Sequence, residues 1–157
     1  MIFHASIAAD EPQRVASVIA ELWGGEAMPF PPYPESFIAI SGAPGGAEVE
    51  VCPRWLEQKP GEVEVEPARN DQASSFSPVH LAVSTKLSEA QVMAIGEREG
   101  WLARRCNRGG VFDVIELWLE NKFMVEVLTD EMQQQYLAFM TPAGFRRVFA
   151  EQPAGQG

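Results

Sequence analysis

Two stretches of the chain, seventy-six residues apart, show the same succession of hydrophobic and polar positions. Phe3-His4-Ala5-Ser6-Ile7-Ala8 and Val79-His80-Leu81-Ala82-Val83-Ser84 both alternate with the two-residue period of a half-buried strand. A helix follows each. In the first, Val15, Val18, Ile19, Leu22 and Trp23 fall on one face; Asp10 is placed to cap the start, Pro12 sits in the opening turn and Gly24 stops it. In the second, Ser88 and Gln91 have the spacing of a capping box, Leu87 and Val92 that of a hydrophobic staple, and Gly100 ends the helix.

The strand pattern then resumes. Residues 36–41 lead through Gly-Ala-Pro-Gly-Gly into 47–52, and residues 111–119 lead through Glu120-Asn121-Lys122 into 123–128. Both halves close on a Val-Glu-Val strand, and one further strand per half is expected within 26–35 and 101–108. Each half therefore reads β-α-β-β-β, one module at about 1–53 and a second at about 79–129 of a single domain. An acidic linker with Pro60, Pro67 and Ser74-Ser75 occupies 54–78. The tail, 130–157, reads as helical at 130–140 and 143–150.

Composition narrows the class. At 157 residues and 46% hydrophobic, the chain buries roughly 70% of its unfolded surface without needing staples. Asp, Glu, Arg or Pro interrupts every apolar run before the ~20 residues of a membrane span, and the first ten residues carry no basic flank of an export signal. The chain is thus expected to be soluble and cytoplasmic. Its net charge of −10 repels phosphate backbones, so neither nucleic acid nor membrane is an expected partner. Cys52 and Cys106 are too few for a disulfide scaffold and read as reduced thiols.

The chemistry lies in the repeat. The only two histidines, His4 and His80, open the first strand of their halves, and Glu50 and Glu126 each follow forty-six residues later between valines. Strand alternation sets His4 with Ser6 and Ala8, and His80 with Ala82 and Ser84, away from the apolar faces that pack on the helices. Glu50 and Glu126 likewise oppose their flanking valines. Two imidazoles and two carboxylates facing an interior need a cation or strong hydrogen bonding. As a ligand set they suit Zn²⁺, Ni²⁺, Co²⁺, Fe²⁺ or Mn²⁺.

On these residues the sequence resembles the vicinal oxygen chelate superfamily, which includes glyoxalase I, bleomycin-resistance proteins, fosfomycin-resistance proteins and extradiol dioxygenases. The resemblance implies an α+β fold of two βαβββ modules forming curved mixed sheets around a cleft, with helices outside. It implies one divalent metal held by His4, Glu50, His80 and Glu126, with Glu50 and Glu126 as the candidate catalytic bases. A homodimer is implied as well, the tail after Asp130 being one possible contact. The leading expectation is a metal-dependent lyase, isomerase or epimerase that transfers a proton on a small α-oxygenated substrate. The alternatives are a non-catalytic drug-binding protein of the bleomycin-resistance kind, or an Fe²⁺ extradiol-type dioxygenase using His4, His80 and Glu126.

Three other groups stand outside this set. Arg104, Arg105 and Arg108 read as a solvated basic loop rather than a receptor for a substrate anion. Pro29, Pro31, Pro32 and Pro34, with Phe30 and Tyr33, read as a rigid surface crossing. Trp23, Trp101, Trp118, Phe139 and Phe149 read as core or dimer packing.

Overall fold

A computed structural model describes residues 3–43 and 46–149, the last two in backbone only. Part of the expected Gly-Ala-Pro-Gly-Gly turn, the Phe149 side chain and the tail from 150 onward lie outside the described residues. Among the described residues no helix is long and apolar enough to cross a membrane.

Module 1 runs β1 (His4–Ala9), α1 (Pro12–Trp23), β2 (Glu26–Pro29), β3 (Phe37–Ile40) and β4 (Glu48–Pro53), joined in the order β1-β4-β3-β2. The linker is where the structure departs from expectation. It folds into a two-stranded antiparallel hairpin, β5 (Leu56–Pro60) and β6 (Val65–Arg69). Pro60 and Pro67 are tolerated there because each strand of an isolated pair has a free edge that needs no N–H. Module 2 repeats the first topology with β7 (Leu81–Ser84), α2 (Glu89–Glu99), β8 (Ala103–Arg108), β9 (Phe112–Leu119) and β10 (Phe123–Leu128), ordered β7-β10-β9-β8. In each sheet the first and last strands pair in parallel and the rest antiparallel. Helices α3 (Asp130–Phe139) and α4 (Pro142–Phe149) form the tail.

Alternation builds the core. Ile7, Ala39, Val49 and Val51 line the α1 side of the first sheet, and Ile115, Leu117, Val125 and Val127 the α2 side of the second, all buried. Both sets belong to one continuous apolar cluster with Val15, Val18, Ile19 and Leu22 of α1. The modules thus meet through their helix-bearing faces. Polar contacts reinforce the junction: Arg14 lies over the Trp101 ring at 5.3 Å and pairs with Glu99, Arg98 pairs with Glu21, and buried Thr85 donates to the Leu22 carbonyl. The opposite, inner faces of both sheets are turned away from this shared core. Across the inner face of the second sheet lies α3, where Phe112 packs edge-on to Tyr136 at 5.1 Å and against Phe139 at 5.7 Å.

The helix ends follow the sequence with one exception. Ser88 and Gln91 form the expected capping box, and Gly24 and Gly100 end their helices at φ 60° and 71°, a left-handed conformation that glycine adopts without penalty. Asp10 does not cap α1. The N-cap is Glu11, without a side-chain cap, and Asp10 is drawn aside by Arg54 and Lys122. The α1 N-terminus is capped from the other module: the Asp10 and Glu11 N–H groups donate to the Glu120 carboxylate at 2.8 and 2.6 Å.

Candidate functional site

Each inner face carries one histidine–glutamate pair in the same relative placement. In the first sheet Glu50 lies directly opposite Ser6 on the parallel neighbour β1, and His4 precedes Ser6 by two residues, on the same face. In the second, Glu126 lies opposite Ala82 of β7, and His80 precedes Ala82 by two. His80 stands just ahead of β7 rather than within it, since the ladder begins at Leu81 and Val125. Proline at 78 supplies no N–H with which to extend it. The ring Nδ1 instead meets the Pro78 carbonyl at 3.1 Å. A carbonyl only accepts, so in the neutral ring Nδ1 carries the hydrogen and Nε2 keeps the lone pair, the tautomer of a ligating imidazole.

Both carboxylates are held by one oxygen. Ser6 Oγ donates to Glu50 Oε2 at 2.6 Å. Glu126 is buried, and its Oε1 receives Arg108 Nε at 2.9 Å and Arg108 Nη2 at 2.5 Å. Glu50 Oε1 and Glu126 Oε2 accept no hydrogen bond among the described residues. Each pair therefore keeps a donor atom for a cation. The pairs do not converge within one chain: no three His, Cys, Asp or Glu side chains are grouped as a metal site among the described residues. The single chain presents two separate histidine–glutamate pairs.

The surroundings of the two pairs differ, and here the basic cluster was misread from the sequence. Arg104, Arg105 and Arg108 stand on β8, not in a solvated loop. Arg105 faces α2, where it pairs with Asp113 and Glu89. Arg104 and Arg108 face inward onto Glu116, which lies beside Glu126 in the sheet. Glu116 is 6% exposed and accepts from Arg104 Nε at 2.8 Å, Arg108 Nη1 at 2.9 Å and Trp118 Nε1 at 3.2 Å. Burial works to raise its pKa, but these hydrogen bonds and the Arg104 charge outweigh it and hold it at about 2. For Arg108, burial works to lower the pKa, and the bonds to Glu126 and Glu116 raise it. At the matching positions of the first sheet stand Ile38, opposite Glu50, and Met28, opposite Ile38. One inner face is walled by aliphatic groups and the other by an ion-paired network.

Asp113 and Glu116 fall on opposite faces of β9, and only Glu116 meets the two inward arginines. The available signal was parity: residues 104, 108, 116 and 126 share one face once β8 is recognised as a strand. The proline-rich connection between β2 and β3 closes on itself, with Phe30 N–H donating to the Ser36 carbonyl and the Phe30 and Tyr33 rings 6.0 Å apart. Trp101 is core, whereas Trp118 is half-buried on the inner face.

No family model matches the chain, and no curated protein matches it in sequence. Solved structures do match it. A fosfomycin resistance protein of Listeria monocytogenes aligns at TM-score 0.55 and 9% identity, over 86% of this chain and 97% of that one. Lactoylglutathione lyase of Agrobacterium tumefaciens aligns at 0.54 and 11%, over 83% and 93%. The trypanothione-dependent glyoxalase I of Leishmania major aligns at 0.52 and 13%, over 92% and 98%. The chain has the vicinal oxygen chelate fold. At these identities the likeness is one of fold, which agrees with the paired βαβββ modules and leaves the reaction to the residues.

Proposed function

We propose that the protein is a metal-dependent enzyme of the glyoxalase type, a lyase, isomerase or epimerase that moves a proton on a small α-oxygenated substrate. The observation that carries this reading is the repeated register: in both modules a glutamate on the closing strand faces the residue two after a histidine, on the face away from the helix. The donor chemistry fits a divalent ion, because Glu50 and Glu126 each keep one uncommitted oxygen and His80 keeps Nε2. His4, Glu50, His80 and Glu126 would hold that ion, with module 1 of one copy set against module 2 of a second in a homodimer. When bound, the ion supplies Lewis acidity toward neighbouring substrate oxygens. The protein's own part is to orient the substrate and to take and return a proton at the adjacent carbon through Glu50 or Glu126.

Elemental analysis of protein grown with added Zn²⁺, Ni²⁺, Co²⁺, Fe²⁺ and Mn²⁺ tests the reading. Stoichiometric metal that His80→Ala loses supports it; no metal under any supplement overturns it. The pairing of Arg108 with Glu126 favours a second reading, since it neutralises the carboxylate with no ion present. On that reading the protein sequesters a small molecule without turnover. Ligand retention after replacement of all four residues would distinguish it.

A further inference from the structure

We infer that Arg108 is a positioning residue for the metal ligand Glu126, held in place by Glu116; the inference rests on the metal reading above. The geometry of the fork carries it. Arg108 directs two N–H groups at one oxygen of Glu126 and a third at Glu116 Oε1, 2.9 Å away. A guanidinium spanning both oxygens of Glu126 would block it as a ligand. One that fixes Oε1 alone immobilises the carboxylate and leaves Oε2 to bind. The direction of approach agrees. In the order β7-β10-β9-β8, Arg108 reaches Glu126 from the β8 side past β9, while His80 flanks β10 on the opposite, β7 side. The guanidinium therefore occupies the flank away from the other ligand. Glu116 is nearly sealed and takes two further bonds from Arg104 and one from Trp118, so the fork has a rigid anchor. Among the described residues nothing comparable braces Glu50, which a single hydroxyl holds.

The test is titration with Co²⁺ alone, followed by its visible absorption, on the full chain as wild type, Arg108→Met, Arg108→Lys and Arg105→Met. Arg105→Met removes a guanidinium from the outer face of the same strand and serves as the control. Circular dichroism melts confirm that each variant is folded. Arg108→Met is expected to weaken Co²⁺ binding roughly 10- to 100-fold, the usual effect of losing the group that orients a ligand, and to change the ligand-field band. Arg108→Lys, with one cationic donor and no fork, should recover part of the loss, and Arg105→Met should bind as wild type does. Unchanged affinity in Arg108→Met, or tighter binding, overturns the inference while leaving the metal reading in place. Tighter binding would mean that the guanidinium competes with the ion. Failure of the wild type to bind Co²⁺ at all overturns both.

Discussion

At the scale of single residues, Glu116 is the carboxylate the fold has invested in most. It is buried on the inner face yet fully compensated, so removing its charge takes from Arg104 and Arg108 a carboxylate that both bind. Its folded pKa, about 2, lies below the ordinary 4.5. The sign follows: the unfolded chain binds the proton more readily, so this contribution is fully present above about pH 4.5 and is lost as pH falls toward 2. Its size is on the order of 3 kcal/mol. Glu116→Gln should therefore lower the urea midpoint at pH 7 and flatten its fall between pH 4.5 and 2.5. A variant as acid-sensitive as the wild type would show that the loss of stability comes from other groups. Recognition of this residue from sequence was blocked by β8. Three arginines followed by Gly109-Gly110 read as a loop, and only pairing with β9 turns them into alternating inward and outward side chains.

At the scale of elements, the junction between modules rests on the three-residue connection, 120–122, joining β9 to β10. Glu120 and Asn121 both have positive φ, 53° and 56°, the conformation that a tight hairpin matching the sheet twist demands. Asparagine accepts it readily, but glutamate there costs about 1 kcal/mol or more. The compensation is that Glu120 caps α1 through two N–H groups and meets Arg54 Nη2 at 3.2 Å. Glu120→Ala keeps the strained backbone and loses the cap, so it should destabilise by about 2 kcal/mol, whereas Glu120→Gly should recover about 1 kcal/mol of that loss. Denaturant midpoints for the two variants decide the point; equal, near-wild-type values would remove the cap from the account. This cap also marks the limit of local reading. The capping box at Ser88 and the glycine stops lie within their own helices, so the sequence pattern revealed them. The true partner of the α1 N-terminus lies 110 residues away, and no local rule connects it. The β5–β6 hairpin was hidden for a related reason, because two prolines and many acids in a pair with open edges resemble a linker. The four ligand candidates were legible because a duplicated module writes the same spacing twice.

At the scale of the whole molecule, the shared core decides how a complete site could form. Both helix-bearing faces are spent on one apolar cluster, so Glu50 and Glu126 lie on the opposite, inner faces, the second of which is partly covered by α3. On the proposed metal reading, a four-ligand centre would be completed by a second copy related by a two-fold axis, each site drawing one half from each chain. Subunit mixing tests this arrangement without knowledge of the substrate. His4→Ala and His80→Ala variants should each fail to hold metal alone. After unfolding together and refolding in equal amounts, half the dimers should be mixed, and each mixed dimer should contain one site with both histidines and one with neither. About a quarter of all sites should then regain metal, measured by Co²⁺ absorption. If one chain supplied all four ligands, every site would lack a histidine and mixing would restore nothing.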